Sequence, residues 1–283
     1  MIRLAIAGAT GRMGRNLLEL TSRDDRFRVS AALVLPGDPA VGSRVHVGDA
    51  TLVYRDQLDL DGQITVGQPA CDVLIDFTTA DGTMAWLDIC ERRQIPLVIG
   101  ATGHSEQQVA RIQEAAHTTP IVMAGNFSAG IHAILSALGQ IVRELGDAYD
   151  IEIVETHHRN KIDAPSGTAL MLVEEIRAAR GRGASGESSK TTTVEEGRVI
   201  FGRKGRVGVR SDSEIGVHAV RMGDTVGKHE IHLSGSGETV TLSHTAHSRD
   251  TFAAGALRAA AWLVSRRPGF YTMRDVMKET QRR

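Results

Sequence analysis

Ile2-Arg3-Leu4-Ala5-Ile6-Ala7-Gly8-Ala9-Thr10-Gly11-Arg12-Met13-Gly14 decides the fold. Ile2, Leu4 and Ile6, with Ala5 and Ala7 between them, form the near-continuous apolar run of a strand buried on both faces. Three glycines follow, and Met13, Leu17, Leu18 and Leu20 then recur at helical spacing. Strand, glycine turn and helix in that order read as a dinucleotide-binding unit. One glycine permits the tight turn, another lets the backbone approach a pyrophosphate, and the last lets helix and strand pack closely. Exposed amides and the helix dipole then hold the phosphates. The spacing is GxxGxxG, a variant of the usual fingerprint, and a purely structural turn is the competing reading. No acid stands where a ribose partner is usual: the second strand ends Leu33-Val34-Leu35-Pro36, with nothing acidic before Asp38. Nothing there repels a 2′-phosphate and Arg12 could attract one, so NADPH and NADH both stay open.

Further apolar runs cover Val29–Leu35, Val73–Phe77, Leu97–Ile99 and Ile121–Ala124. Helical patterns lie between them, such as Gln107–His117 behind a capping box of Ser105 and Gln108. This alternation predicts a parallel sheet with right-handed crossovers. Beyond Leu145 the pattern changes. Asp150–Glu155 reads as a strand, Ser166–Ala179 as a helix, and the Gly-rich Arg180–Lys190 as a loop. Glu214–Arg221, Lys228–Leu233 and Glu238–Ser243 alternate in polarity, which predicts an open, mostly antiparallel sheet. Ala253–Arg266 is helical again and stops at Pro268-Gly269. The expected architecture is α/β: a Rossmann-type parallel-sheet domain and an α+β domain, with the boundary near Asn126–Gly130.

The chain has 283 residues, with 33 Lys and Arg against 34 Asp and Glu, a net charge of -1. So balanced a chain exerts no global pull on nucleic acid or an anionic membrane. Cys71 and Cys90 make no disulfide framework, which points to a reducing compartment and to two small core residues. No targeting segment is expected. Ala115–Val142 holds no Asp, Glu, Lys or Arg, yet Pro120, Gly125, Asn126 and Gly130 interrupt it. It reads as strand, loop and helix rather than a membrane span.

The sharpest local feature is Glu155-Thr156-His157-His158-Arg159-Asn160-Lys161-Ile162-Asp163-Ala164-Pro165-Ser166-Gly167-Thr168. Two histidines and a lysine stand where a strand leaves its sheet, and the pre-proline Ala164 marks a loop. Ser166 is a natural N-cap, and the amides of Gly167 and Thr168 would make an anion site suited to a carboxylate. His and Lys together could donate protons; a polar surface loop is the bland alternative. His229-x-x-His232 and His244-x-x-His247 resemble metal pairs, but residues three apart on a strand face opposite sides, so no metal is expected. Glu174-Glu175 and Glu195-Glu196 read as solvated faces. Arg203, Lys204, Arg206 and Arg210 read as a solvated basic loop, with contact to an anionic substrate or a neighbouring subunit as the alternative.

Taken together, GATGRMG, IDFT at Ile75–Thr78, IGATG at Ile99–Gly103, AGNFSAG at Ala124–Gly130 and ETHHRNKIDAPSGTA at Glu155–Ala169 resemble the 4-hydroxy-tetrahydrodipicolinate (dihydrodipicolinate) reductase family. Glu214–Ile231 and Ser248–Ala256 extend the resemblance along the whole chain. It implies a cytoplasmic homotetrameric oxidoreductase of lysine and diaminopimelate biosynthesis, using NADPH or NADH on a small dicarboxylate. It implies a dinucleotide domain over 1–127, with 249–283 packing back on it, and a substrate and oligomerisation domain over 128–248. The cofactor would touch Gly8, Ala9, Thr10, Gly11, Arg12, Met13, Gly100, Ala101, Thr102, Ala124, Gly125, Asn126 and Phe127. His157 would be proton donor and acceptor, and Lys161 proton donor. His158, Ser166, Gly167 and Thr168 would bind substrate, with Arg249 a further candidate. Val34 replaces the acid common at the end of the second strand, and Ala101 stands where Thr is frequent. Two other readings share the glycine turn: a non-catalytic NAD(P)-sensing protein, and another Rossmann dehydrogenase, one acting on an aldehyde through a reactive cysteine.

Overall fold

The computed structural model describes residues 1–57, 71–181 and 198–280. The chain divides into two compact units, Met1–Ala129 together with the segment from Arg249 onward, and Gly130–Ser248. In chain order the elements begin β1 (Ile2–Ala7), α1 (Arg12–Thr21), β2 (Phe27–Leu33), β3 (Arg44–Val47), β4 (Ala50–Arg55) and β5 (Val73–Asp76). Next come α2 (Ala80–Arg93), β6 (Leu97–Ile99), α3 (Glu106–Ala115), β7 (Pro120–Met123), α4 (Ala129–Leu145), β8 (Asp150–His157) and α5 (Gly167–Ala179). They continue with β9 (Val199–Phe201), β10 (Ile215–Arg221), β11 (Gly227–Ser234), β12 (Thr239–Ala246), α6 (Asp250–Leu263), β13 (Gly269–Tyr271) and α7 (Met273–Thr280).

The first unit is built on an eight-stranded sheet of order β13-β7-β6-β5-β1-β2-β4-β3. Every pairing is parallel except the β3–β4 hairpin at one edge. Successive strand residues face opposite sides, so both faces must be apolar. Leu4 and Ile6 join a core with Leu17, Leu18, Ala256, Leu257 and Val276, beneath α1, α6 and α7. Ala5 and Ala7 join the opposite core with Trp86, Leu87, Cys90 and Ile112, beneath α2 and α3. The helix after Ser105 starts with the capping box expected of it, and Thr79 caps α2 by accepting from Gly82 N at 3.1 Å. The β3–β4 hairpin turns at Gly48-Asp49, with Gly48 at φ +56°. Alternation around a Gly-Asp pair signals such a hairpin, and the sequence reading passed over it.

The second unit is a five-stranded sheet of order β12-β11-β8-β10-β9, with α4 and α5 over one face. The expected mostly antiparallel pairing holds only on one side of β8. β11 and β12 run antiparallel, whereas β10 pairs parallel to both β8 and β9. α5 lies in the connection from β8 to β9, and β10 then follows β9 through the non-helical 202–214 and inserts between the two, parallel to both. The expected loop at Arg180–Lys190, beyond Gly181, and the Glu195-Glu196 pair lie outside the described residues. Ala115–Val142 holds β7 and most of α4, and no described helix is long and apolar enough to cross a membrane.

The C-terminal segment returns to the first unit through a close contact at Gly255. An added Cβ there would stand 1.8 Å from the Phe127 carbonyl oxygen. Gly255→Ala is therefore expected to destabilise the protein by about 1–3 kcal/mol or more, read as a lower Tm in thermal denaturation.

Candidate active site

The first unit presents its loops at one edge, the carboxyl ends of the parallel strands. Strand order reverses around β1, the usual place for a nucleotide in an open α/β sheet. Gly8 sits at φ +79°, and a Cβ on it would meet the Phe77 carbonyl oxygen at 2.7 Å. A Cβ on Gly14 would lie 2.2 Å from the Gly8 oxygen, so only glycine lets α1 start this close to β1. Gly100–Thr102 follows β6, and Ala124–Phe127 follows β7. The ring of Phe77 fills the space a Cβ on Gly100 would need, and it packs against Phe127 with centroids 5.7 Å apart. Phe77 thus joins loops from three strands.

Val34 is buried, and the first acid after β2 is Asp38, in the loop that follows. Its Oδ2 accepts from Thr10 Oγ1 at 3.0 Å, which puts negative charge against the glycine turn. The contact places a carboxylate beside the glycine turn, and NADPH and NADH both stay open.

In the second unit, period two explains the site. Ile151 and Ile153 of β8 face α4 and α5, and the next residues on that face are Glu155 and His157. On β10, Ile215 and Val217 give way to Ala219 and Arg221. On β11, Leu233 and Ile231 give way to His229 and Gly227. In register, Glu155 lies opposite His229 and Ala219, and His157 opposite Arg221. The inner face therefore turns from apolar to ionic at one end, where α5 begins.

Glu155 is 0% exposed and accepts four hydrogen bonds. Its Oε2 takes His157 Nδ1 at 2.6 Å and Arg221 Nη1 at 2.8 Å, and its Oε1 takes Arg221 Nη2 at 2.8 Å and the Ser166 amide at 3.0 Å. Ser166 caps α5, its Oγ accepting from Ala169 N at 3.1 Å and standing 3.0 Å from His229 Nε2. Gly167 is exposed at the helix start and Thr168 buried behind it. Lys161 donates to both oxygens of Asp163 at 2.8 Å, and its amide donates to the His158 carbonyl at 3.0 Å.

Two family descriptions match in tandem: "Dihydrodipicolinate reductase, N-terminus" over residues 2–127 and "Dihydrodipicolinate reductase, C-terminus" over 130–277. The 4-hydroxy-tetrahydrodipicolinate reductase of Thiobacillus denitrificans is 42% identical over 98% of both chains. That of Myxococcus xanthus is 40% identical over 98% of both. The chain belongs to the dihydrodipicolinate reductase family. A solved dipicolinate-bound dihydrodipicolinate reductase from Paenisporosarcina sp. TG-14 shares the fold at a TM-score of 0.68, with 24% identity over 96% of this chain and 97% of that one.

In this chain His157, His158, Lys161, Ser166, Gly167 and Thr168 all lie at the exit of β8 or the start of α5. Gly8–Met13, Gly100–Thr102 and Ala124–Phe127 share the strand-end edge of the first unit. Arg249 caps α6 in the first unit, apart in sequence and unit from the histidine cluster. Reading from sequence missed Glu155, Asp163 and Arg221. Glu155 and Asp163 lie inside the motif, but Arg221 is 66 residues from Glu155 and becomes its neighbour only through β8–β10 pairing. Of the basic run, Lys204 and Arg206 are exposed as expected, and Arg203 and Arg210 differ. Arg203 pairs with Glu152 and Glu214, and Arg210 with Asp150 and Glu152, so both are internal ties. His229 is buried on the inner face of β11 while His232 points to the other face, where its Nδ1 lies 3.1 Å from Thr241 Oγ1. Both thiols are buried, Cys71 being pushed up to about 12 by desolvation and Cys90 well above its ordinary value. Neither suits the nucleophile of an aldehyde dehydrogenase.

Burial lowers His157, and Lys161 and Arg221 add to the effect while Glu155 opposes it. Burial pushes His229 down to about 4, aided by the charge of His157. Glu155 remains below the usual carboxylate range because Arg221 and His157 outweigh its desolvation. At neutral pH the cluster holds a carboxylate, a guanidinium and two neutral imidazoles.

Both imidazoles resist protonation when folded, so the unfolded chain binds more protons below the ordinary histidine range. Stability is expected to fall as pH drops from about 6.5 through the value of about 4 at His229. His229→Gln should flatten that decline in Tm. On the nucleotide side, Asp38→Ala is expected to raise the affinity for NADPH relative to NADH, by tenfold or so per ~1.4 kcal/mol of repulsion removed. Fluorescence titration with each nucleotide reads the ratio.

Proposed function

We propose that this chain catalyses the NAD(P)H-dependent reduction of 4-hydroxy-tetrahydrodipicolinate to tetrahydrodipicolinate in lysine and diaminopimelate biosynthesis. The observation that carries the reading is the convergence of His157, the Lys161 loop and the α5 start on the buried carboxylate of Glu155. The glycine turn of the first unit fits a dinucleotide, because Gly8 and Gly14 let the turn and the start of α1 pack this closely at the end of β1. Gly8–Met13 would hold the pyrophosphate, and Gly100–Thr102 and Ala124–Phe127 the nicotinamide end. Bound reduced nicotinamide supplies a hydride.

This chain's residues do the rest. The amides of Gly167 and Thr168, at the positive end of α5, bind one substrate carboxylate, with His158 and the Ser166 cap beside them. Arg249 is a further carboxylate candidate. As loss of water leaves a cyclic unsaturated imine and hydride adds to its ring, electron density builds on the ring nitrogen or the adjacent carbon. Lys161, steadied by Asp163, donates the proton that quenches it, and Nε2 of His157 carries protons to and from the ring. Unpaired buried thiols fit a cytoplasmic enzyme, and the family resemblance supports a homotetramer.

The rival reading is an NAD(P)-sensing protein, which needs the glycine cradle but not Lys161. Lys161→Met is expected to lower kcat by about 10²–10⁴-fold while the NADH dissociation constant stays the same. Unchanged turnover would remove Lys161 from the chemistry. Nucleotide binding without any turnover in the parent protein would favour sensing.

A further inference from the structure

The Glu155–Arg221 pair calls for an explanation beyond stability. A buried ion pair gains little over well-packed apolar side chains, because desolvating both charges offsets their attraction. Yet this carboxylate is fully enclosed, and besides Arg221 it holds His157 and the Ser166 amide, both of the proposed site. Arg221 spends both terminal nitrogens on it, and Nη2 also donates to the Asp163 carbonyl at 2.7 Å, in the segment that presents Lys161. Ser166, which starts α5, hangs its amide on the same carboxylate.

The histidine contact has a chemical consequence. An ionised carboxylate can only accept. Nδ1 of neutral His157 must therefore carry the proton, which leaves the lone pair on Nε2. On that side stands Gly227, where a Cβ would come within 3.1 Å of Nε2. Any side chain there would crowd the nitrogen that is free to exchange protons.

We propose that Glu155 and Arg221 are positioning residues for the proton chemistry. The pair fixes His157 with Nε2 as the exchanging nitrogen and ties the Lys161 loop and the start of α5 to one carboxylate. Neither residue touches the reacting atoms; both act through His157, Lys161 and Ser166. The inference rests on the reading of His157 as the proton carrier.

The test uses the full-length protein in three forms: parent, His157→Gln, and the double variant Glu155→Gln/Arg221→Met. The double substitution leaves no uncompensated buried charge, so loss of folding does not mask the result. Turnover is measured across pH, and NADH binding and circular dichroism confirm the fold. His157→Gln turning over like the parent would overturn the reading of His157, and the proposal with it. If His157→Gln is impaired, the double variant decides. The proposal expects kcat to fall by about 100-fold or more, and the kcat limb set by His157 to move to lower pH. The shift follows because Glu155 raises His157 more than Arg221 lowers it. A merely structural pair would leave that limb in place, and a folded double variant with an unmoved limb overturns the proposal. Should the double variant not fold, Glu155→Asp serves instead. It keeps the charge but withdraws it from Nδ1, and the same limb shift, or its absence, decides.

Discussion

A carboxylate shut away from water must have its lone pairs taken by donors, and Glu155 meets that demand with His157, Arg221 and Ser166. The three donors come from β8, β10 and the cap of α5, so satisfying one buried charge fixes the relative placement of three elements. The strand period does the rest. The stripe that carries Ile151 and Ile153 into the core also carries Glu155 and His157 to the end of it. The apolar part of the inner face holds the sheet to its helices, and its ionic end holds the proposed chemistry.

The first unit solves a different problem with the same economy. A parallel sheet covered on both faces needs apolar residues at every position, and β1 supplies them on both sides. The proposed nucleotide site then falls at the strand ends, where backbone rather than side chain would make it. The close approach of Gly14 to Gly8 packs the start of α1 against the end of β1, and Phe77 braces the loops after β6 and β7 through Gly100 and Phe127.

Much of this was legible in the sequence, for physical reasons. Strands buried on both faces leave continuous apolar runs, so β1, β5, β6 and β7 could be read within a residue or two. The capping box at Ser105 is local chemistry and was read whole. The motif from Glu155 to Thr168 showed its histidines and lysine, because those residue types announce proton chemistry. Glu155 did not, since its importance comes from burial and from Arg221, which only strand pairing brings near. The direction of β10 was hidden for the same reason. Polarity alternates identically in parallel and antiparallel strands, and only the pairing of β10 with β8 and β9 decides between them. Asp38 was visible as the first acid beyond the second strand, but its contact with Thr10 depends on how the loop folds back.

The central claim is that these two constellations serve one reduction. Its most direct measurement follows the absorbance of the reduced nicotinamide while substrate is generated in situ from pyruvate and aspartate semialdehyde by the preceding synthase, with NADH and NADPH in parallel. The account predicts loss of absorbance that depends on the synthase, on this protein and on a reduced nucleotide. No oxidation of either nucleotide, from a folded sample that binds them, would contradict it.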